Sequence, residues 1–209
     1  MRMRAQGRQQ RQGLRGVEKH RLAADLHARG QCAGGRVFVA LRQGERALDK
    51  VLDAAKNLNR YPDRDATVLR SKLAQFINSL SATKLTEENI WAANGSNEII
   101  QSLFMAFGSG SALGFTPSYS MHPLIAKVIG VSWINGSRRE DFTLDYDSAL
   151  AQIQREKPAL TFITTPNNPT GSSLSINEIE KLAKATPGLL VIDEAYAEFS
   201  EETSAVTLI

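Results

Sequence analysis

Short apolar runs alternate with amphipathic segments beyond residue 86, and this alternation is typical of parallel strands separated by helices. The runs that predict strands are Ile90–Ala93, Leu113–Phe115, Val131–Ile134, Leu160–Thr164 and Leu189–Ile192. Apolar residues at helical spacing predict helices over 98–107, 123–129 and 147–155, and a capping box of Ser175 and Glu178 predicts another. The pattern therefore predicts an α/β fold, with a mostly parallel sheet flanked by helices.

Two more helices are predicted before the first of these strands. The earlier one begins near Ala47 and leads to a break over residues 59–63. Asp65 is placed to cap the later one. Its apolar stripe consists of Val68, Leu69, Leu73, Phe76, Ile77 and Leu80.

The first 46 residues differ in character from the rest of the chain. They are rich in Arg, Gln and Gly, and their one short apolar run, Val37–Leu41, predicts a strand. Residues 1–50 hold 12 basic and four acidic side chains, whereas the remainder holds 13 basic and 18 acidic ones. We therefore divide the chain into a basic, atypical N-terminal segment, 1–46, and a globular part, 47–209.

A basic arm can bind nucleic acid, because Lys and Arg neutralise phosphates. The stretch from Arg2 to Arg15, however, has no aromatic residue for base stacking and no helix-turn-helix pattern. We expect no nucleic-acid partner. Residues 1 to about 44 are expected to pack poorly against the remainder and to exchange their amide protons quickly.

Size and cysteine content narrow the class of protein further. The 209 residues, 42% of them hydrophobic, can bury one sizeable core. No run of about 18 apolar residues occurs, and the start has no apolar stretch of the signal-peptide type, so we expect a cytoplasmic protein with no membrane partner. Cys32, the single cysteine, has no Cys or His partner at metal-ligand spacing, and we expect no metal site.

The turn formed by Gly95, Ser96, Asn97 and Glu98 opens a predicted helix directly after a predicted strand. Ligands of open α/β sheets bind at the carboxyl ends of strands. Unpaired N–H groups at a helix N-terminus attract anions. The turn is therefore a candidate phosphate site, although Ser96 or Asn97 capping the helix explains the same residues.

The loop Thr165–Gly171 follows another predicted strand and holds Asn167 and Asn168 between two prolines. Proline fixes the backbone on either side of the two amides. Such a rigid loop can aim an amide donor at a ligand, and a simple turn between strand and helix is the alternative.

Asp193 ends the last predicted strand, where a carboxylate is costly unless a cation or several donors meet it. A pyridinium nitrogen is such a cation, and a carboxylate beside it keeps the ring protonated and electron-withdrawing. Tyr196 can bring its hydroxyl to the same ring. The alternatives are a carboxylate that caps the following segment and a tyrosine packed at the surface.

Four motifs in combination resemble the cofactor motifs of the fold-type-I aminotransferases, which use pyridoxal 5'-phosphate. They are Asn94–Glu98, Phe115–Tyr119, Pro166–Gly171 and Val191–Tyr196, and they stand in the order of that family. Two further phrases, Leu58–Asp63 and Asp193–Phe199, are similar to the histidinol-phosphate branch of the family. The resemblance covers about residues 47–209 and implies the three-layer large domain of these enzymes, truncated here.

The resemblance implies how the chain would hold the cofactor phosphate. The region of Gly95, Ser96 and Asn97 would contact this phosphate, and Tyr119 would stack on the pyridine ring. Tyr61 would reach the cofactor phosphate of the neighbouring subunit. The resemblance therefore also implies a homodimer with shared sites.

The other contacts implied by the resemblance are to the ring substituents. Asn168 and Tyr196 would hydrogen-bond the ring hydroxyl, and Asp193 would pair with the ring nitrogen. The family's catalytic lysine lies downstream of the Asp-Glu-Ala-Tyr motif, and no lysine follows Lys184 in this sequence. We therefore expect an N-terminal fragment that has no catalytic residue of its own and is inactive alone, with Lys181 and Lys184 in solvent.

The activity implied by the resemblance is transamination between a small-molecule amino donor and a 2-oxo acid. In the histidinol-phosphate branch, histidinol phosphate and 2-oxoglutarate give imidazole-acetol phosphate and glutamate, a step of histidine biosynthesis. Two alternatives of the same architecture stay open, an aromatic-amino-acid aminotransferase and a phosphothreonine decarboxylase. A non-catalytic fragment is an alternative of a different class.

Overall fold

A computed structural model describes residues 47–209 of the chain. The predicted strand Val37–Leu41, Cys32 and the predicted poor packing of residues 1–44 lie outside the described residues. The boundary at residue 47 stays a prediction.

The described residues divide into two units, 47–64 and Asp65–Ile209. In the described part of the first unit, residues 47–55 are helical, which confirms the helix predicted from Ala47. The second unit contains the sheet and the helices described below.

Four parallel strands form the described sheet of the second unit, in the order β2-β1-β3-β4. They are β1 (Ala112–Thr116), β2 (Trp133–Ser137), β3 (Leu160–Thr164) and β4 (Leu189–Asp193). The register places Ala112 opposite both Trp133 and Leu160, and Thr164 opposite Asp193. From β1 the chain continues to β2 on one side of it and then to β3 on its other side, so the strand order reverses between β1 and β3. In open α/β sheets, ligands usually bind in the crevice at the carboxyl ends of two such strands.

The described part of this unit contains five α-helices. They are α1 (Thr67–Ser81), α2 (Ser96–Phe107), α3 (Met121–Ile129), α4 (Tyr146–Glu156) and α5 (Ile176–Ala185). Short 3₁₀ turns lie at Glu87–Asn89, Ala197–Phe199 and Ala205–Leu208. The predicted capping box before α5 is confirmed, since the side chains of Ser175 and Glu178 each accept a hydrogen bond from the other's backbone N–H.

Alternate residues of the strands are buried on opposite faces of the sheet, as the period of two requires. Leu113 of β1 and Ile163 of β3 lie in a cluster with residues of α4 and α5. Their neighbours Ala112 and Phe162 lie in a second cluster, with residues of α2 and α3. Helices therefore cover both faces of the sheet, which confirms the predicted three-layer α/β arrangement.

The predicted strand Ile90–Ala93 is wrong. These residues have no regular secondary structure and follow the 3₁₀ turn Glu87–Asn89. The backbone here is bonded to a side chain and not to a neighbouring strand. Arg70 Nε donates to the carbonyl oxygen of Ile90 at 2.7 Å. A short apolar run does not by itself distinguish these two outcomes.

The second strand begins two residues later than predicted, at Trp133 instead of Val131. Gly130 adopts a left-handed conformation (φ 88°) and ends α3. The N–H of Val131 then donates back to the carbonyl of Ala126 at 2.9 Å. Val131, which the apolar pattern assigned to the strand, therefore belongs to the C-terminal cap of the helix.

Helix α1 has Ala66 at its N-cap, and the capping role predicted for the preceding residue, Asp65, stays a prediction. Ala66 adopts a left-handed conformation (φ 47°), and its carbonyl accepts from the N–H of Arg70 at 2.9 Å, which closes the first turn through the backbone. The apolar stripe of α1 is largely exposed within this unit, where only Ala74 of the helix is buried. The exposed members of the stripe are Val68, Leu69, Phe76 and Leu80.

Candidate functional site

The carboxyl ends of β1, β3 and β4 bring three loops together. The N–H of Thr165, just after β3, donates to the carbonyl of Asp193 at the end of β4, at 3.0 Å. The hydroxyl of Ser118, just after β1, lies 3.1 Å from Thr164 Oγ1 and 2.7 Å from Asn167 Oδ1. The loops that follow these three strands are thus joined by direct hydrogen bonds.

A buried histidine meets the carboxylate of Asp193. His122, in the first turn of α3, is 2% exposed, and its Nε2 lies 3.1 Å from Asp193 Oδ2. Because a carboxylate can only accept, this nitrogen carries the proton. The N–H of Ala195 donates to Asp193 Oδ1 at 3.2 Å.

These contacts decide the charge of Asp193. Burial raises the pKa of its carboxyl, but the hydrogen bonds from His122 and Ala195 outweigh burial and hold that pKa below its usual range. The side chain is therefore ionised at neutral pH. Its two oxygens have about four acceptor positions, so two described hydrogen bonds leave capacity for a further donor.

Aromatic rings fix the orientation of His122. Its ring centroid lies 4.7 Å from that of Phe162, 6.4 Å from that of Trp133 and 5.3 Å from that of Tyr119, which it meets edge to face. Gly114 of β1 makes room for this cluster, since a Cβ there would lie 2.5 Å from the Trp133 ring. A cavity of about 180 Å³ borders the same rings. The imidazole is therefore held by packing as well as by Asp193.

Tyr119 connects the loop after β1 to the start of α2. Its hydroxyl donates to Asn97 Oδ1 at 3.2 Å, while its ring contacts His122. The structure thereby brings three predicted site residues, Asn97, Tyr119 and Asp193, into one continuous set of contacts through His122. Sequence separation gives no indication of this set, because its members lie on α2, on α3 with the loop before it, and at the end of β4.

The turn before α2 leaves the first N–H groups of that helix without a side-chain cap. Gly95, at the N-cap, has φ 83°, a conformation that favours glycine, and a Cβ there would meet nothing within 4 Å. The carboxylate of Glu98 instead reaches back to the N–H of Asn94, at 2.7 Å. The alternative in which Ser96 or Asn97 caps the helix is therefore wrong.

The two amides of the loop Thr165–Gly171 differ sharply. Asn167 is 2% exposed, and its Nδ2 donates to the carbonyl of Pro117 at 3.0 Å and to Thr170 Oγ1 at 2.7 Å. Asn168 is half-buried, and its side chain makes no hydrogen bond to any residue that the structure describes. Only the amide of Asn168 is thus available to a ligand.

Two predicted tyrosines stand apart from these contacts. Tyr196 is 43% exposed, its ring lies 6.2 Å from that of Phe199, and no hydrogen bond among residues 47–209 involves its hydroxyl. Tyr61 belongs to the first unit, where it is fully exposed. The cofactor roles of both tyrosines stay predictions.

His122 is absent from the residues that the sequence singled out. A signal was nevertheless present, since His122 lies three residues after Tyr119 and four before Ala126, and both His122 and Ala126 are buried on one face of α3. The helix was predicted to begin at Pro123, which left the histidine in a loop.

Two other kinds of site are absent from residues 47–209. No group of three or more His, Cys, Asp or Glu side chains there is placed to hold a metal ion. None of the described helices has both the length and the apolar character needed to cross a membrane.

Residues 29–209 match the family described as aminotransferase class I and II. The histidinol-phosphate aminotransferase of Rhodococcus jostii (strain RHA1) is 51% identical over 163 residues, which cover 77% of this chain and 43% of that protein. That of Corynebacterium diphtheriae is 49% identical over 161 residues, covering 76% and 44%. The crystal structure of the histidinol-phosphate aminotransferase from Clostridium acetobutylicum aligns with a TM-score of 0.60 and 29% identity, over 77% of this chain and 46% of that one. The chain thus spans less than half the length of these relatives.

Proposed function

This chain belongs to the aminotransferase class I and II family, and from that membership we propose that it supplies the residues that hold pyridoxal 5'-phosphate in a transaminating enzyme. The observation that carries the proposal is the contact between buried His122 and partly buried Asp193, with an ionised carboxylate at the end of β4. Because the chain spans less than half the length of these relatives, its activity, substrates and partners are proposals.

The donors and acceptors at the strand ends fit the chemical parts of this cofactor. The uncapped N-terminus of α2, at Gly95, Ser96 and Asn97, suits the phosphate, because free N–H groups and the positive end of the helix dipole favour an anion. Tyr119 would stack on the pyridine ring. This assignment is supported by the edge-to-face contact with His122, which holds the tyrosine ring in place.

The ring substituents fit the remaining side chains. Asp193 would accept from the protonated ring nitrogen, for which its open acceptor capacity suffices. The unengaged amide of Asn168 would bind the ring hydroxyl, together with the hydroxyl of Tyr196. When bound, the cofactor supplies an electron sink for the carbanion that forms at the substrate carbon.

Within this proposal the chain's own residues have distinct tasks. Asp193 keeps the proton on the ring nitrogen, because an ionised carboxylate stabilises the cationic form of the group beside it. His122 orients that carboxylate and donates to it, and the surrounding rings shield the imidazole from water. Each additional hydrogen bond to the carboxylate lowers its pKa, so His122 also helps to keep Asp193 charged.

We propose histidinol phosphate and 2-oxoglutarate as the substrates, since two relatives with about half of their aligned residues identical to this chain are histidinol-phosphate aminotransferases. Aromatic amino acids and phosphothreonine are the alternative donors. A homodimer, in which Tyr61 reaches the partner's site, is part of the same proposal, as is a cytoplasmic location.

The described lysines after the loop Thr165–Gly171 do not fit the role of the catalytic lysine. Lys184 pairs with Glu180 at 2.7 Å and its side chain is 74% exposed. Lys181 is exposed on the same helix, 5.8 Å from the centroid of the Tyr146 ring. These positions confirm the prediction that both lysines lie in solvent, and we expect no glutamate from histidinol phosphate and 2-oxoglutarate with the 209 residues alone.

Cofactor titration of the purified chain tests the proposal. We expect saturable binding of pyridoxal 5'-phosphate, followed by its absorption and by equilibrium dialysis. Asp193→Asn should weaken binding about tenfold or more, since it removes a charge-assisted hydrogen bond. Asp147→Asn, an exposed aspartate on α4, is the matched control. Equal dissociation constants for both variants would contradict the assignment of Asp193.

The donor is tested on the chain loaded with the cofactor. Histidinol phosphate, phenylalanine and phosphothreonine are compared for the concentration at which each changes the absorption of the bound cofactor. We expect histidinol phosphate to act at the lowest concentration. A preference for either other amine would favour the corresponding alternative, and the absence of any response would contradict the proposal that this chain presents the cofactor to an amine donor.

A further inference from the structure

We propose that Asn167 is a positioning residue that locks the loop after β1 to the loop after β3, and that this lock holds Tyr119 and Asn168 in place. The proposal concerns a residue that makes no contact with the cofactor itself. The expected effects on cofactor affinity rest on the proposed function, whereas the expected effects on the position of Tyr119 do not.

All polar atoms of the Asn167 side chain are engaged. Oδ1 lies 2.7 Å from the Ser118 hydroxyl, and Nδ2 donates to the Pro117 carbonyl at 3.0 Å and to Thr170 Oγ1 at 2.7 Å. Two of these three partners belong to the other loop, 49 and 50 residues earlier in the chain. The side chain is 2% exposed, so water does not replace a lost partner easily.

The lock lies immediately beside the residues that would meet the cofactor. Tyr119 directly follows Ser118, and its ring leaves the loop toward His122 and Asn97. Asn168 directly follows Asn167. A fully satisfied buried amide between the two loops therefore fixes the backbone from which both ligand-facing side chains extend.

The chemistry of the two adjacent asparagines supports this division of roles. Both donors of the Asn167 amide are used within the protein and its buried oxygen accepts from Ser118, whereas the side chain of Asn168 has no partner among the residues that the structure describes. An aspartate at position 167 can still accept from Ser118 but cannot donate to the Pro117 carbonyl. A carboxylate oxygen in place of Nδ2 would also face the Pro117 carbonyl oxygen in a buried site, so Asn167→Asp should disrupt the lock at least as strongly as Asn167→Ala.

The test uses the full chain with its tyrosine rings isotope-labelled for NMR. The ring signal of Tyr119 is assigned by its loss in Tyr119→Phe, and pyridoxal 5'-phosphate affinity is measured in parallel. The variants are Asn167→Ala, Asn167→Asp and Ser118→Ala. Asn168→Ala removes the neighbouring amide, and Asn177→Ala, exposed on α5, is the matched control. All measurements are made well below each variant's unfolding midpoint.

We expect Asn167→Ala to shift and broaden the Tyr119 ring signal and to weaken cofactor binding about tenfold, the loss of roughly one buried hydrogen bond's net contribution. Asn167→Asp should have an effect at least as large as that of Asn167→Ala. Asn168→Ala should weaken cofactor binding without moving the Tyr119 signal, and Asn177→Ala should change neither. Because Ser118 contacts Thr164 as well as Asn167, the double variant Ser118→Ala/Asn167→Ala should be worse than Asn167→Ala alone, but by less than the sum of the two single effects.

A merely structural role predicts a different result, namely a lower unfolding midpoint with an unchanged Tyr119 signal and an unchanged dissociation constant. That result would overturn the proposal, as would additive effects of Ser118→Ala and Asn167→Ala. If the wild-type chain does not bind pyridoxal 5'-phosphate, the proposed function fails. In that case, the Tyr119 ring signal alone tests whether Asn167 holds the loop after β1 in place.

Discussion

At the scale of single residues, the charge of Asp193 follows from its neighbours. Burial by itself disfavours a carboxylate, yet the hydrogen bonds from His122 and Ala195 hold its pKa below the usual range. The sequence predicted that a cation or several donors must meet a carboxylate at this position. Two of the donors belong to the protein, and one of them comes from a helix 71 residues earlier.

Acid should remove the contribution of this carboxylate to stability. A group whose pKa is lower in the folded chain stabilises the fold above its unfolded pKa, about 4, and loses that contribution as the pH falls through its folded pKa. We expect the gap in thermal midpoint between the wild type and Asp193→Asn to stay constant above about pH 5 and to shrink below about pH 4. Asp147→Asn is the control, and a gap that stays constant down to about pH 2 would contradict the expectation.

Gly114 is required by the aromatic cluster around His122. A Cβ at this position would lie 2.5 and 2.7 Å from two carbons of the Trp133 ring. Gly114→Ala should therefore lower the free energy of unfolding by about 1–3 kcal/mol, measured in urea. In Gly110→Ala the nearest heavy atom would be 3.4 Å away, and we expect little change. Equal effects of the two substitutions would count against a steric cause.

At the scale of secondary-structure elements, the sequence correctly predicted boundaries that depend on short-range features such as a capping box or a buried apolar run. The capping box before α5 formed as expected, and β3 has the predicted bounds, Leu160–Thr164. The apolar run Ile90–Ala93 is not a strand, and the carbonyl of Ile90 accepts a hydrogen bond from Arg70 Nε instead of from a strand beside it. A strand needs a neighbour to pair with, and a run of four residues carries no information about one.

The capping box offers a test at this scale. Ser175→Ala removes the side-chain acceptor of the Glu178 N–H at the start of α5 and should lower the free energy of unfolding by about 1 kcal/mol. Ser132→Ala is the control, since Ser132 is exposed and its hydroxyl makes no hydrogen bond within the described chain. Denaturant unfolding followed by circular dichroism measures both, and a null effect at Ser175 would argue that the cap adds nothing.

At the scale of the whole molecule, apolar surface remains uncovered on the second unit. Helix α1 exposes Val68 (69%), Phe76 (54%) and Leu80 (64%) on its predicted apolar stripe. Both outer strands of the described sheet, β2 and β4, are paired on one side only. Surfaces of this kind favour association with other chains.

We therefore expect the purified chain to self-associate in a concentration-dependent way, as sedimentation velocity would show. Replacing both Phe76 and Leu80 with Ser should reduce this association and the binding of a hydrophobic dye, because the two side chains account for much of the exposed stripe. Gln75→Ser, an exposed polar change on the same helix, is the control. If the double variant associates as strongly as the control, another surface is responsible.

The sequence by itself determined the α/β class, most strands and helices, and the loops that carry the candidate site residues, because apolar periodicity and turn chemistry are local properties. Tertiary structure decided which side chains meet. It separated Asn167, engaged with Pro117 and Ser118, from Asn168, whose amide has no described partner, although both stand in one motif. It also placed His122 against Asp193, a contact between two elements that no local pattern encodes, because it depends on how α3 packs beside the parallel strands.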